Sequence, residues 1–230
     1  MIPELPKKPF LYPIVDTGLC RSRGIDPVAL CDAYLAGGAR VLQLREKERS
    51  SGEFLQLADV LVERTRQAGA LLIINDRADI ARLSGAAGVH VGQDDPTVAD
   101  VRKLLSTPTI VGLSTHDERQ IDRAIEQQPT YVAVGPVFET ATKDTGYAAR
   151  GLDLVRCAAG RGIPLVAIGG LTLDNVRDVV RAGALGIAVI SDLLNGDPEA
   201  RTRDFIARLA ENPVTPRGTP KNHVEPRRTS

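Results

Sequence analysis

Apolar runs of strand length alternate along this chain with stretches whose apolar residues recur at helical spacing, eight times over. The runs that we interpret as strands cover residues 11–16, 39–45, 71–76, 88–93, 109–114, 131–135, 164–169 and 186–191. The stretches that we interpret as helices cover residues 26–37, 52–67, 97–105, 117–127, 152–159, 173–181 and 197–211, with one short helix ending near residue 83.

Eight strand–helix units in succession predict an α/β fold, namely a single closed (β/α)8 barrel of the TIM type. A doubly wound open sheet is the structural alternative, although eight units of this regularity are unusual for it. We assign residues 1–10 to an N-terminal extension and residues 11–212 to the barrel, which is the catalytic domain. Residues 213–230 are rich in proline and in basic side chains, so we interpret them as a disordered tail.

Composition restricts the kinds of molecule that the protein is expected to bind. The chain carries 29 basic and 29 acidic side chains, so its net charge predicts neither nucleic acid nor a membrane surface as partner. Its apolar runs fall well short of the ~18 residues that cross a bilayer, and its first residues lack the pattern of a signal peptide. The 3 cysteines are scattered, which is typical of reduced thiols. We therefore expect a cytoplasmic protein that acts on small molecules, and homo-oligomerisation is left open.

Charged side chains follow the second, third and fourth predicted strands. The third strand ends at Asp76, Asp95 comes soon after the fourth, and Arg45 and Lys47 end the second on one side of the chain. Because the carboxyl ends of parallel strands meet at one rim, we expect these groups to lie together. Mg²⁺ binds through one or two carboxylates and phosphate oxygens, so the group indicates a metal-bridged diphosphate site. Each residue alone is equally typical of a solvated charge or strand cap, and Asp94 is either a second ligand or a helix-terminal charge.

The seventh and eighth strands end in a different pattern. Gly169-Gly170 and Ile190-Ser191 are each followed by a predicted helix. Backbone N–H groups at such helix starts bind phosphate, and this is the common phosphate site of these barrels, although a glycine pair also makes a simple tight turn. The loop after the sixth strand adds Thr140, Thr142 and Lys143 to the same rim. A lysine there can act as a point charge for a phosphate group.

Other chemistry is weakly indicated. His90 lies inside the fourth predicted strand, which is typical of a core histidine with satisfied hydrogen bonds, and His116 is a less favoured acid–base candidate at the rim. The sequence lacks a nucleophile elbow, a dinucleotide-binding fingerprint and a lysine placed within a strand for Schiff-base chemistry. Two anion sites without these features indicate two anionic substrates, one of which loses diphosphate.

The same residues carry a resemblance to a known family. The chain resembles the thiamine phosphate synthase family from residue 11 to about residue 211. The matching motifs are QLREK at 43–47, IIND at 73–76, GVHVGQDD at 88–95, GLSTH at 112–116, VGPVFETATK at 134–143, VAIGG at 166–170 and GIAVIS at 186–191.

The resemblance implies a reaction and a set of roles. A (β/α)8 barrel would join 4-amino-5-hydroxymethyl-2-methylpyrimidine diphosphate to 4-methyl-5-(2-phosphoethyl)thiazole, or to its carboxylated form, and release diphosphate and thiamine phosphate with one Mg²⁺ per active site. The diphosphate would be held by Arg45, Lys47, Asn75, Ser114 and Lys143, which we take as the catalytic group. Gln43 would lie near the pyrimidine, and Asp76 and Asp95 would bind Mg²⁺. The thiazole phosphate would be held by Thr140, Thr142, Gly170, Ile190 and Ser191.

The family mechanism releases the diphosphate first, and the thiazole nitrogen then captures the pyrimidine-methyl cation, so no general base is needed. Two features depart from the family pattern: Glu139 adds a carboxylate near an anion site, and the proline-rich tail has no counterpart. The alternatives are a thiazole tautomerase with the same barrel, an unrelated phosphate-binding isomerase or lyase, and a non-catalytic barrel protein. The tautomerase is expected to lack the metal carboxylates and the Arg45–Lys47 pair, and a non-catalytic barrel is expected to have lost site residues.

Overall fold

The structure is a computed structural model that describes residues 3–105, 109–140 and 146–211. Eight parallel strands close into a barrel, each paired with its neighbours in sequence and β8 paired with β1. The strands are β1 (Phe10–Asp16), β2 (Val41–Arg45), β3 (Leu71–Asn75), β4 (Gly88–Val91), β5 (Ile110–Thr115), β6 (Tyr131–Val134), β7 (Leu165–Ile168) and β8 (Gly186–Val189). The predicted (β/α)8 barrel is confirmed.

Helices surround the barrel, and two short ones, the first α-helix and a 3-10 helix, are additional to the predicted set. They are α1 (Thr17–Ser22), α2 (Pro27–Ala36), α3 (Ser51–Gln67), α4 (Ala78–Ser84), α5 (Val98–Leu105), α6 (Glu118–Glu126), α7 (Gly151–Ala159), α8 (Val176–Arg181) and α9 (Pro198–Ala210), with a 3-10 helix at Ser191–Leu194. The pattern of apolar runs does not predict α1, which is a short extra helix between β1 and α2. The predicted C-terminal tail lies outside the described residues.

Side-chain caps explain where several helices begin. The Asp26 carboxylate accepts hydrogen bonds from the N–H groups of Val28 and Ala29, and Pro27 occupies the first helical position of α2. A reciprocal pair of hydrogen bonds between Ser50 and Glu53 begins α3. These caps satisfy N–H groups that have no partner within the helix.

Both faces of every strand are buried, which explains why the strands are continuous apolar runs rather than alternating ones. Leu42, Ile74 and their neighbours pack outward against the helices. Tyr12, Ile73 and Tyr131 belong to a second cluster that fills the barrel interior. Full burial of each such side chain contributes roughly 1.5–3 kcal/mol before the entropic terms that oppose folding.

The strand register brings the predicted site residues to one end of the barrel. Asp16 at the end of β1 pairs with Arg45 at the end of β2, and Asn75 at the end of β3 pairs with His90 in β4. The carboxyl ends of the strands therefore form a single rim, where the active sites of such barrels lie. Within the described part of the chain, no helix is both long enough and apolar enough to span a bilayer.

Candidate active site

A cavity of about 430 Å³ opens at the carboxyl-terminal rim of the barrel. Eight of the predicted substrate-binding residues line it: Gln43, Arg45, Asn75, Ser114, Thr140, Gly170, Ile190 and Ser191. They come from six different strands or the loops that follow them, so the fold brings together residues that are far apart in sequence. Thr142 and Lys143 lie outside the described residues.

The two predicted metal ligands and Lys47 do not line this cavity, but Asp76 directly follows the cavity-lining Asn75, and the two acids lie close to each other. The Lys47 ammonium donates a hydrogen bond to the Asp76 carboxylate. The Asp95 carboxylate accepts a hydrogen bond of 2.7 Å from the backbone N–H of Gly92. Burial raises the pKa of Asp95, and the neighbouring Asp76 carboxylate raises it further. The two acids therefore interact directly, and Lys47 provides a counter-charge.

Asp76 is held in an unusual backbone conformation. Its φ angle of 62° lies in the left-handed region, which asparagine and aspartate tolerate better than other residues with a Cβ. Its N–H donates to the carbonyl of His90 over 2.7 Å, and its own carbonyl accepts from Ala78 over 3.1 Å. The backbone thus turns sharply at the end of β3 and directs the carboxylate toward Lys47.

The acid pair fits a divalent cation of the magnesium type. Carboxylate oxygens are the hard ligands that Mg²⁺ prefers, and Mg²⁺ in phosphate-transfer sites commonly takes only one or two of them, with phosphate oxygens and water completing its octahedron. Among the described residues no group of three or more acids, histidines or cysteines is placed to hold a metal. Asp94 has an exposed side chain.

Arg45 is anchored by Asp16, a residue that the sequence does not predict at the site. Its guanidinium donates to the Asp16 carboxylate over 2.5 Å, and only 20% of the Arg45 side chain and 8% of the Asp16 side chain are exposed. Asp16 also caps α1 by accepting from the N–H of Leu19 over 2.9 Å. Because Arg45 lines the cavity, Asp16 fixes the position of a cation that can face substrate.

Glu46 shapes the segment that carries Lys47. Its carboxylate is buried and accepts hydrogen bonds from the N–H groups of Glu48 at 2.6 Å and Arg49 at 3.0 Å. Burial opposes ionisation of this carboxyl, but the two N–H donors, the Thr17 hydroxyl and the Arg49 guanidinium together outweigh burial, so the pKa of Glu46 is lowered. A buried, negatively charged side chain therefore holds the backbone that follows Lys47 in place.

A chain of buried hydrogen bonds crosses the cavity floor. Gln43 donates to the Tyr12 hydroxyl over 3.1 Å, and the hydroxyls of Tyr12 and Tyr131 are 3.0 Å apart. The Tyr131 hydroxyl lies 3.0 Å from His90 Nδ1, and His90 Nε2 lies 2.8 Å from Ser114 Oγ. These contacts link the residue predicted near the pyrimidine to a residue predicted at the diphosphate.

His90 therefore has a larger role than its position in the sequence indicates. It is buried and hydrogen-bonded, as the core interpretation requires, yet it also lines the cavity. Burial raises the pKa of Tyr131 well above its ordinary value, so this hydroxyl keeps its proton. Gly112 leaves room for the pair, because a Cβ there would lie 2.1 Å from the Tyr131 ring and 2.5 Å from His90 Nδ1.

The opposite side of the cavity is built largely from backbone. Gly169 and Gly170 follow β7 with φ angles of 97° and 64°. A Cβ on Gly170 would lie 2.6 Å from the carbonyl oxygen of Glu139, so the close approach of the two loops needs glycine there. Asn175 fastens the turn by donating to the Gly170 carbonyl and accepting from the Thr172 N–H, both over 2.9 Å.

Asp192 connects this turn to the end of β8. Its buried carboxylate accepts from the N–H of Leu173 over 3.2 Å, from Arg201 over 2.8 Å and from Asn195 over 3.0 Å. Asp192 lies next to Ser191 at the start of the 3-10 helix, so these contacts fix both segments predicted to hold phosphate. A lone acid in the stretch after β8 carries no sequence signal for this role.

His116 and Glu139 also line the cavity. The His116 ring stacks on Tyr147 with centroids 4.2 Å apart, and its Nδ1 lies 2.6 Å from the carbonyl oxygen of Gly135, which accepts the bond. Gln120 donates to the Tyr147 hydroxyl over 3.1 Å. His116 thus helps to hold the chain where it returns from the loop after β6.

The fold and the rim define a class: a (β/α)8 barrel with a carboxylate pair and cations at one side of its rim and a glycine turn and a 3-10 helix at the other. The thiamine monophosphate synthase family model matches residues 11–193, and the chain belongs to that family.

Relatives of known name agree with this assignment. The thiamine-phosphate synthase of Chloroflexus aurantiacus is 44% identical over 188 residues, which cover 81% of this chain and 86% of that protein. The thiamine-phosphate synthase of Acidothermus cellulolyticus is 42% identical over 204 residues, covering 87% and 94%. The solved structure of thiamine phosphate pyrophosphorylase from Pyrococcus furiosus is similar with a TM-score of 0.79 and 30% identity, covering 87% of this chain and 95% of that one.

Proposed function

We propose that this chain is a transferase that synthesises thiamine phosphate. It joins 4-amino-5-hydroxymethyl-2-methylpyrimidine diphosphate to 4-methyl-5-(2-phosphoethyl)thiazole, or to the carboxylated form of the thiazole. The observation that carries the proposal is the interacting acid pair Asp76–Asp95, which lies with Lys47 beside a cavity whose other side is a glycine cradle. Two separate anion sites suit two phosphorylated substrates, and family membership supports the choice of these two.

The charged side of the cavity is proposed to bind the diphosphate. Asp76 and Asp95 would hold one Mg²⁺, which neutralises the charge that develops on the departing diphosphate. The side chains proposed to contact the diphosphate are Arg45, Lys47, Asn75, Ser114 and Lys143. Gln43, which is 4% exposed and hydrogen-bonded to Tyr12, is proposed to contact the pyrimidine ring.

The backbone side of the cavity is proposed to bind the thiazole phosphate. The residues proposed for this role are Thr140, Thr142, Gly170, Ile190 and Ser191. Their N–H and hydroxyl groups can donate to phosphate oxygens without adding a full positive charge. That suits a phosphate which is present in the product as it was in the substrate.

The reaction needs charge stabilisation more than proton transfer. The bond between the pyrimidine methylene carbon and the diphosphate oxygen breaks, and both bonding electrons leave with diphosphate. The thiazole nitrogen then gives its lone pair to the methylene carbon, which forms the C–N bond without releasing a proton. Arg45 and Lys47 stabilise the leaving charge, and the buried hydrogen bonds from Gln43 to Ser114 hold the floor of the cavity in one arrangement.

The tautomerase alternative fits the site less well. A barrel that rearranges a single phosphorylated thiazole has no use for a metal-binding acid pair or for the cations that face it. This chain has an acid pair, Asp76 and Asp95, and the two basic residues Arg45 and Lys47, which supports the transferase proposal over the tautomerase. The cytoplasmic location, the oligomeric state and the disordered tail stay predictions from the sequence.

A direct assay tests the proposed function. Purified protein is mixed with both substrates and Mg²⁺, and thiamine phosphate and diphosphate are measured by mass spectrometry. We expect equimolar products, which disappear when a chelator removes the metal. Product formation that persists in chelator would contradict the metal assignment, and the absence of product with both substrates present would contradict the activity itself.

A further inference from the structure

Lys47 stands where a divalent cation would be needed. Its ammonium donates to the Asp76 carboxylate, one of the two acids proposed to bind Mg²⁺. The Lys47 side chain is 53% exposed, whereas the Asp76 side chain is 19% exposed. The partner at the protein surface is therefore a long, rotatable cation, and the partner beneath it is a nearly buried acid.

Backbone contacts fix both acids and leave Lys47 as the part that can move. The N–H and the carbonyl of Asp76 both bind other main-chain groups, and the residue is confined to a left-handed turn. Asp95 is held by the N–H of Gly92 over 2.7 Å. A lysine side chain has four rotatable carbon–carbon bonds, so it can leave Asp76 without disturbing the fold.

Neighbouring cations are committed to other acids. Arg77 follows Asp76 directly, but its guanidinium donates to both oxygens of Asp79, over 2.8 and 2.6 Å. Arg45 is bound to Asp16. Lys47 is thus the basic residue of the Arg45–Lys47 pair that faces the acid pair before substrate arrives.

We propose that Lys47 is a placeholder cation, which makes the site take up the metal together with diphosphate rather than as a free ion. The proposal rests on the proposed function, because it assumes that Asp76 and Asp95 bind metal and that the ligand is a diphosphate. Lys47 pairs with Asp76 before the metal and diphosphate bind, and it pairs with a phosphate oxygen afterwards.

Charge balance gives the physical reason. Asp76, Asp95 and Lys47 together carry one net negative charge, so a free divalent ion is attracted less than by the two acids alone. It must also separate Lys47 from its counter-ion and then lie near an unpaired ammonium. A metal–diphosphate complex brings its own acceptor oxygens for Lys47, so the exchange leaves no cation without a partner.

The test measures metal binding without turnover. Free Mn²⁺ is titrated into the wild type, Lys47→Met and Lys103→Met, and bound metal is read from the electron paramagnetic resonance signal. Lys103 forms a comparable ion pair with Asp100 over 3.0 Å on α5, so its variant controls for the loss of one positive charge. We expect Lys47→Met to bind free Mn²⁺ about fivefold more tightly than the wild type, as an exposed ion pair of about 1 kcal/mol would give. Lys103→Met should bind as the wild type does.

The second arm uses preformed Mn²⁺–diphosphate in a calorimetric titration. We expect Lys47→Met to bind this complex about tenfold more weakly, because one charge-assisted hydrogen bond is lost. Lys47→Arg should behave as the wild type in the first arm, since it keeps the charge. Opposite signs in the two arms are the signature of an exchanged cation.

The outcomes distinguish the proposed metal site from the proposed placeholder role of Lys47. Failure of Asp95→Asn to weaken Mn²⁺–diphosphate binding would overturn the metal site, and with it the proposed function. Normal dependence on Asp95 combined with unchanged or weaker binding of free Mn²⁺ in Lys47→Met would overturn the placeholder role alone.

Discussion

The two sides of the cavity differ in composition: one is built from charged side chains and the other mainly from backbone. The side formed after β2, β3 and β4 uses full charges: the Arg45–Asp16 and Lys47–Asp76 ion pairs and the adjoining Asp95. The side formed after β7 and β8 uses the glycine turn at 169–170 and the 3-10 helix that starts at Ser191. The geometry of this second side, the cradle side, is set mainly by the path of the backbone.

The difference follows from what happens to each phosphate in the proposed reaction. A leaving diphosphate gains negative charge as its bond breaks, and charged groups stabilise that change most in the transition state. A phosphate that only anchors its substrate keeps the same charge throughout, so uniform binding by N–H and hydroxyl groups suffices. Substitutions on the charged side should therefore lower turnover, and substitutions on the cradle side should weaken binding of one substrate.

Removal of a metal ligand is expected to have the largest effect. Asp95→Ala should lower kcat by at least about a thousandfold, because the charge that develops on diphosphate loses its main stabilisation. Steady-state kinetics at saturating substrates measures this change. Asp100→Ala, which removes an exposed acid that pairs with Lys103 on α5, should leave kcat unaltered. Full activity of Asp95→Ala in chelator would refute the charged-side assignment.

A substitution in the glycine turn at residues 169–170 should change KM rather than kcat. Gly170→Ala forces a Cβ to within 2.6 Å of the Glu139 carbonyl oxygen, so the turn must open. We expect KM for the thiazole phosphate to rise about a hundredfold, equivalent to about 2.7 kcal/mol of lost binding, with little change in KM for the pyrimidine diphosphate.

Gly162→Ala is the matched control for this substitution. Gly162 also has a positive φ, 75°, but nothing lies within 4 Å of its Cβ position, so it suffers the backbone strain without the collision. Its KM values should match those of the wild type. An equal rise in both KM values for Gly170→Ala would indicate general damage and would contradict a dedicated phosphate cradle.

Substitutions in the hydrogen-bonded cavity floor, which both sides share, should lower the free energy of unfolding. Tyr131→Phe removes a hydroxyl that contacts both Tyr12 and His90, so a buried polar group is left unpaired. We expect a loss of about 1–3 kcal/mol in the free energy of unfolding, measured in urea. Tyr34→Phe is the counterpart, because its buried hydroxyl has no hydrogen-bond partner among the described residues and its removal should be nearly neutral. Equal effects would contradict the network.

A small effect that depends on pH is expected at Glu46. Glu46→Gln should reduce the free energy of unfolding by about 1 kcal/mol at pH 7, because the neutral amide is a weaker acceptor for the two N–H groups. The pKa of Glu46 is lowered by folding, so its stabilisation is present above the ordinary value of 4.5 and is lost as the pH falls through the lower folded value. Urea unfolding at pH 7 and near pH 3 should show the gap closing; a constant gap would contradict an ionised role.

The fold and the rim could be predicted because their signals are local. Parallel strands buried on both faces are continuous apolar runs, and the residues that end them, such as Arg45 and Asp76, reach the rim in any eight-stranded barrel. Gln43, Arg45 and Lys47 of the QLREK motif could therefore be assigned to the rim from the sequence alone.

The remaining features depend on contacts across the barrel. Tyr12 and Tyr131 are 119 residues apart and meet only because both point into the closed barrel, so their pairing with His90 has no local signal. The helix α1 lacks a clear apolar period and is begun by Asp16, whose second role with Arg45 depends on the β1–β2 register. Tertiary structure overrides weak local preference at such places.

The central claim is that the charged side needs a metal to hold its substrate and the cradle side does not. Calorimetric titration of each substrate into the protein, with and without Mg²⁺, tests this most directly. We expect binding of the pyrimidine diphosphate to weaken at least about a hundredfold when Mg²⁺ is omitted, and binding of the thiazole phosphate to stay the same. Equal metal dependence for both substrates, or none for either, would contradict the division of the cavity.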